Sequence, residues 1–388
     1  MTLSGTNLEH AKVHNRRVVI ETIRLHGQLT RAEIARLTHL TPQTVSNITR
    51  ELEQTGWLQS HQPIRSGRGQ PAIPLSIAPD GAYSIGIHLD QGLLTIIVAD
   101  LAGHALQRCD VSLQSNEPSD ILGQVKNILH KLRHSDRFDW QKVLGIGWVM
   151  PGPFNVRGIS SAGPTTLHGW ENININNELE TEFGFPVWVA NDATAAALGE
   201  RLYGVATQLH SFVYLFINNG LGAGIYLNGH IYDGCSHNAG EIGHIIVQPQ
   251  GRLCFCGNQG CLERYLSLQA AYELCQLVGD EATPQQLLRI DDEQLEQWLQ
   301  VAVCATRQAV NIVECLFDAE AVILGGMIPE PILAKLVNRL APLPRSVRSR
   351  VPDELRVRIG QTGLDAAALG AAALPILLIA QDSNFDRL

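Results

Sequence analysis

A chain of 388 residues with 45% apolar and 17% charged residues is long enough for two or three domains and apolar enough for a sizeable core, which excludes wholesale disorder. It has no run of 18 apolar residues, and its first segment, "MTLSGTNLEHAKVHNRR", lacks the apolar stretch of a secretion signal. A cytoplasmic protein with no membrane partner and with reduced thiols is therefore expected. The net charge of −9 is uneven: residues 1–80 hold 9 Lys+Arg against 6 Asp+Glu and the rest hold 20 against 32, so only the first segment suits a polyanion.

In chain order, "NRRVVIETIRL" (15–25) places Val18, Val19, Thr22, Ile23 and Leu25 at helical spacing, and Gly27 ends that helix. Thr30 with Glu33 forms a capping-box pattern for the next one. Thr41 caps a third, with Pro42 in its first turn and Val45, Ile48 and Leu52 as its inner stripe. Two short helices joined by a tight turn read as a helix-turn-helix. Outside the stripe lie Gln43, Thr44, Ser46, Asn47 and Arg50. Gln and Asn pair with adenine edges, Arg with guanine, and Ser and Thr with bases or phosphates, so these five are the candidate readers of a double-stranded DNA operator. An ordinary solvated helix face is the plainer reading. The segment that follows, "WLQSHQPIRSGRGQPAIPLSIA", reads as two short strands around a Gly/Arg/Pro tip, a wing whose Arg65 and Arg68 suit a minor groove; the plainer reading is a linker.

From Tyr83 onward short apolar strands ("YSIGIHL", "LLTIIVADL", "VLGIGWVM", "VWVAND", "SFVYLFI", "GAGIYL", "AVILGG") alternate with helical stretches at 119–134, 193–203, 266–278 and 293–317. That alternation predicts an α/β fold with partly parallel sheets. Near the end "LDAAALGAAALPILLIAQ" reads as a buried helix, since Asp365 and Pro375 interrupt it and its apolar core is too short for a membrane span. Two segments, near 84 and near 214, each consist of a strand, a turn and a returning strand. This duplication resembles the two-lobed actin-like, ribonuclease H-like fold of sugar kinases, in which each lobe opens with a phosphate-gripping hairpin.

"LCFCGNQGCLE" brings Cys254, Cys256 and Cys261 into eight positions, with His244 ten residues before the first. Cys-x-Cys is too tight for a relaxed disulfide, and no Cys-x-x-Cys redox pair is present. Three thiolates and an imidazole suit a closed tetrahedral site, hence structural zinc, with Gly257 and Gly260 letting the loop bend back; the plainer reading is free thiols. The other cysteines (109, 235, 275, 304 and 315) are expected to be small buried apolar residues.

The string "GEIGH…CxCGxxGCxE" resembles the signature of the ROK family (repressors, open reading frames, kinases). "GIGWVMPGPFNVRGI" (145–159), "HGW" (168–170), "ANDATAAALGE" (190–200) and "GLGAG" (220–224) follow the family's order. With its helix-turn-helix the chain is similar to the family's repressor branch. The implied fold is α/β: a winged helix-turn-helix over 1–80, a first α/β lobe over 81–192 joined by a C-terminal helix at about 364–388, and a second lobe with the zinc site over 193–363.

The resemblance implies that Asn191, Asp192, Glu241, His244 and Glu263 grip a sugar. Asn191 and Asp192 are equally placed to cap the helix that follows. Thr166 stands where family kinases carry Asn before Leu, with His168 nearby, which leaves the sugar's identity open. The family's first phosphate loop reads roughly Asp-x-Gly-Gly-Thr. Here His88 replaces the magnesium-handling Asp, Asp90 and Gln91 replace glycines, and Asn218 and Asn219 stand where the second loop has Gly-Thr. A carboxylate among phosphate oxygens repels ATP. The expectation is a sugar-responsive DNA-binding repressor of carbohydrate genes without kinase activity. Its effector is a monosaccharide or sugar phosphate, and it forms a homodimer or tetramer. The alternatives are an ATP-dependent sugar kinase, or a repressor controlled by a sugar-transport protein.

Overall fold

The computed structural model describes residues 8–64, 71–152, 167, 169–170, 173–236 and 238–379, with backbone only at 8–10. Arg65, Arg68, Thr166 and His168 lie outside the described residues.

The described chain begins with α1 (Leu8–His26), about two turns longer at its start than the 15–25 stretch that its apolar spacing marks, then β1 (Leu29–Thr30), α2 (Arg31–Thr38) and α3 (Pro42–Gln54). Helix α2 starts at a full capping box: Glu33 N–H donates to Thr30 Oγ1 and Thr30 N–H donates to Glu33 Oε2. Helix α3 starts on Thr41 with Pro42 in its first turn. Val45, Ile48 and Leu52 of α3 bury against Ile34 of α2 and Val19 and Ile23 of α1. Strands β2 (Leu58–Ser60) and β3 (Pro74–Ile77) pair antiparallel, an Ile64–Ala72 bridge extends the hairpin toward its tip, and β3 also pairs with β1. This is a winged helix-turn-helix.

Next come β4 (Tyr83–Asp90), β5 (Leu93–Asp100), β6 (Ala105–Ser112), α4 (Pro118–Arg133), β7 (Val143–Met150), α5 (Ile175–Phe183) and β8 (Val187–Asn191), then α6 (Asp192–Tyr203). The sheet order is β6-β5-β4-β7-β8, with β4–β5–β6 antiparallel and β4–β7–β8 parallel. After α6 follow β9 (Phe212–Ile217), β10 (Leu221–Leu227), β11 (His230–Ile231), α7 (Glu263–Leu266), α8 (Leu268–Leu274), α9 (Pro284–Leu287), α10 (Asp292–Phe317), β12 (Ala321–Gly326), α11 (Glu330–Val337), α12 (Asp353–Arg356), β13 (Val357–Ile359) and α13 (Ala366–Ile379). Their sheet, β11-β10-β9-β12-β13, repeats the first: an antiparallel meander, then two parallel strands. Every residue of β4, β9 and β12 is buried, whereas edge strand β6 alternates, which is why the central strands read as continuous apolar runs.

Between the two sheets lie α13, against β4 and β7, and α6, against β9 and β10, and the two helices pack on each other. Small residues permit the approach. A Cβ at Gly147 would stand 1.9 Å from the Ala371 carbonyl oxygen, and one at Gly370 would stand 1.7 Å from that of Ala195. Among the described residues no helix is long and apolar enough to cross a membrane. The expectation of buried thiols holds for Cys275 and fails for Cys235, Cys304 and Cys315, which are exposed; the last two sit on the outer face of α10, where an apolar neighbour in sequence is not a neighbour in space.

A candidate metal centre beside the cleft between lobes

The loop after β11 folds back on itself. Bridges join Ile246 to Cys261 and Leu253 to Gln259. Cys254 N–H donates to the Asn258 carbonyl at 2.8 Å, and Gly257 N–H returns to the Cys254 carbonyl at 3.0 Å. Gly260 sits at φ +84°, and a Cβ there would lie 1.7 Å from the Gln248 carbonyl oxygen, so only glycine fits the turn. The fold brings ligand atoms of His244, Cys254, Cys256 and Cys261 within 4.8 Å of one another. Cys254 Sγ is 3.6 Å from His244 Nδ1, and Cys256 Sγ is 3.6 Å from Cys261 Sγ. Four ligand atoms this close could hold a metal ion, and the sulfur–sulfur separation is far too long for a disulfide. Burial pushes the Cys254 and Cys261 thiols up, so crowded sulfurs of this kind ionise in the company of a cation.

The same ring that turns Nδ1 to sulfur turns Nε2 toward Glu241, whose Oε2 is 4.0 Å away. Glu263 opens α7, is buried, and accepts the Leu221 N–H at 3.2 Å, so it ties the metal loop to the start of β10. Burial pushes the carboxyls of Glu241 and Glu263 up, against the pull of His244.

Across the cleft, Asn191 is the helix cap: its Oδ1 accepts from Ala193 N–H at 2.9 Å and Thr194 N–H at 3.3 Å. Asp192 is 6% exposed and accepts the Ala193 N–H at 2.7 Å. Burial, with Asp90 and Glu241 adding negative charge, raises its pKa to about 7. The cap thus occupies the Asn191 oxygen, and Asp192 is the buried carboxyl beside it.

Sequence reasoning missed what joins the two hairpin tips. Asn218 Nδ2 donates to Asp90 Oδ2 at 2.9 Å, and both residues are buried. The two positions were read as separate departures from a phosphate loop; the signal that they match was a carboxylate at one tip and an amide at the other. His88 is buried at 2% exposure, and among the described residues its Nε2 has no hydrogen-bond partner. Burial lowers its pKa, which keeps the ring neutral. Gln91 is exposed and Asn219 half-buried.

On the head, Gln43, Asn47 and Arg50 are exposed along one edge of α3, with Gln43 Nε2 donating to Asn47 Oδ1 at 3.1 Å. Thr44 and Ser46 are half-buried, and the Thr44 hydroxyl is bonded to that of Thr41 at 2.8 Å. The Thr44 hydroxyl is therefore engaged with Thr41 at the start of α3.

Residues 84–376 match the family model described as "ROK family", and residues 14–68 match "MarR family". The chain is 25% identical over 366 residues to the "Xylose repressor" of Bacillus subtilis (strain 168), covering 93% of this chain and 94% of that protein. Among solved structures, it is similar to a "ROK family transcriptional regulator, homolog of E.coli MLC protein", with TM-score 0.74, 27% identity, and coverage of 96% of this chain and 99% of that one. A "ROK Hexokinase from Thermus thermophilus" aligns with TM-score 0.59 and 25% identity over 75% of this chain and 96% of its own.

Proposed function

The chain belongs to the ROK family, and on that premise we propose that it is a cytoplasmic repressor of carbohydrate genes that reads double-stranded DNA with α3 and responds to a monosaccharide or sugar phosphate held between its lobes. The observation that carries this reading is the Asp90–Asn218 bond. Phosphoryl transfer depends on positioning phosphates between the two hairpins. Here the tips hold each other, and on the family resemblance the buried Asp90 carboxylate takes the place of a phosphate-loop glycine. The similarity to the B. subtilis xylose repressor over nearly the whole length of both chains supports the same reading.

In this proposal Asp192, Glu241, Glu263, the Asn191 amide and the His244 ring form the sugar cradle. Carboxylates and amides suit vicinal hydroxyls, and such a pocket rejects ligands that leave its buried groups unpaired. The ion proposed for His244, Cys254, Cys256 and Cys261 is zinc. Zn–S bonds of about 2.3 Å and Zn–N bonds of about 2.0 Å imply tetrahedral edges of roughly 3.5–3.8 Å, in keeping with the two 3.6 Å separations. With four protein ligands the ion is structural: it fixes the ring that faces Glu241. A homodimer, or a tetramer built from it, supplies the two reading helices that two half-sites require.

One observation favours a kinase: Asp192 is in place, and a carboxyl near neutrality suits a general base. The two readings separate in an ATP-consumption assay with D-glucose, D-xylose and N-acetylglucosamine. No sugar-dependent turnover is expected, and turnover of about 1 per second, ordinary for such enzymes, would replace the repressor with a kinase. On the DNA side, alanine at Asn47 or at Arg50 is expected to weaken specific binding by about 1–3 kcal/mol and to relax sequence preference at the base it meets. Uniform binding across sequences before and after the change would remove α3 from the interface.

A further inference from the structure

Helix α1 is held on two sides by different chemistry. On one side Val19, Ile20 and Ile23 share a buried cluster with Ala82 and Leu101 of the first lobe and with Ile376 and Ile379 of α13, and Arg24 donates to the Leu101 carbonyl at 3.0 Å. On the other side the contacts are polar and few. Arg17 donates to the Gly229 carbonyl at 2.8 Å and stands 3.3 Å from His230 Nδ1, both at the β10–β11 turn of the second lobe. Glu21, itself bonded to Arg17 at 2.8 Å, lies 3.8 Å from Arg201 of α6.

These two sides belong to bodies that meet at the α6–α13 contact, since α13 packs on the first sheet and α6 on the second. Between them Gly199 faces the Ala366 backbone and Gly370 the Ala195 backbone. A contact made of small residues presents no interlocked side chains to a sliding motion. On the sugar-responsive reading, closure of the lobes would move the second sheet with α6 against the first sheet with α13, and α1 contacts both sides. The apolar weld resists such motion, whereas water can replace the polar contacts at little cost. Helix α1 is also fastened to the reading helix: Arg16 Nη1 donates to Glu51 Oε1 of α3 at 3.1 Å, and Lys12 lies 3.0 Å from the same carboxylate.

We propose that α1 is the lever through which the state of the cleft reaches α3, with Arg17 and Glu21 as the pins by which the second lobe sets its pitch. The proposal rests on the sugar-responsive reading above and adds the route. A ligand shifts the head only by its differential affinity for two lobe arrangements, and these pins are where the two arrangements differ for the head.

The test uses full-length protein, a duplex selected from a random pool by the wild-type chain, and whichever of D-xylose, D-glucose or N-acetylglucosamine most raises the wild-type Tm. The readouts are the Tm shift and the ratio of DNA Kd with and without sugar. In the wild type that ratio is expected to be tenfold or more. Arg17→Ala should keep the full Tm shift while its ratio falls to within twofold of one. His230→Ala, which leaves α1 itself intact, should lower the ratio in the same direction and carries the test if the first variant does not fold. A variant that binds sugar and keeps the wild-type ratio overturns the lever. A wild-type protein that neither gains stability nor changes its DNA affinity overturns the functional reading, and the lever with it.

Discussion

Cys256→Ser is expected to leave the purified protein without its ion and markedly less stable. A structural zinc site contributes about 10–16 kcal/mol of apparent binding energy, and loss of one of four ligands forfeits several of these. For a chain of this size that is a fall in Tm of roughly 5–15 °C. The damage should not stay local. The metal loop is stitched to the second lobe by Leu262 N–H to the Ile245 carbonyl at 2.9 Å and Val247 N–H to the Gly260 carbonyl at 2.9 Å, and Glu263 joins it to β10. Freed from the ion, His244 and Glu263 lose the positions from which they meet a hydroxyl, so sugar should no longer raise the Tm. The core of the head, built on Val19, Ile23, Ile34, Val45, Ile48 and Leu52, continues into Ala82, Leu101 and α13 and includes no residue of the metal loop, so DNA binding should persist. Elemental analysis and a thermal melt check both halves. Wild-type zinc stoichiometry in the variant would remove Cys256 from the site.

Asp192→Asn is expected to abolish sugar-dependent stabilisation while stabilising the free protein at alkaline pH. The sign follows from the carboxyl's own titration. In the folded chain it keeps its proton up to about 7, whereas the unfolded value is near 3.8. Between those limits the folded state binds the extra proton, so this residue's contribution to stability falls as pH rises across that window and is lost above about 7. Asparagine carries no charge to bury, which removes that penalty. Conversely, the ionised carboxylate accepts hydroxyl hydrogen bonds more strongly, so sugar affinity in the wild type should increase as pH rises through about 7. Thermal-shift titrations at pH 6 and pH 8 with both proteins read these effects together. A variant that retains the wild-type sugar shift at pH 8 would remove Asp192 from the cradle.

Local chemistry was readable from residues alone. Thr30 with Glu33, and Thr41 with Pro42, marked helix starts that the structure places at those residues. The paired strand–turn–strand segments became two sheets of one topology. The four candidate metal ligands lie close in sequence, and the structure brings their ligand atoms within 4.8 Å of one another. What escaped reading is long-range. Asp90 and Asn218 are 128 residues apart, and nothing local to either indicates the other. One local pairing also escaped: the Thr44 hydroxyl bonds that of Thr41 at the start of α3. Cys304 and Cys315, with apolar neighbours in sequence, proved exposed because successive residues of α10 point to different faces, and Cys235 is exposed in a turn. The grip of the lobes on α1 depends on Gly229 and His230, in a turn more than two hundred residues downstream.

The most direct test of the central claim, that one chain couples a sugar in its cleft to DNA at its head, is an anisotropy titration of the selected duplex with wild-type and Asp192→Asn protein, with and without the stabilising sugar. The account predicts comparable affinity for both proteins without sugar, and a shift of tenfold or more on adding sugar to the wild type alone. Equal response to sugar in both proteins, or none in the wild type, would contradict it.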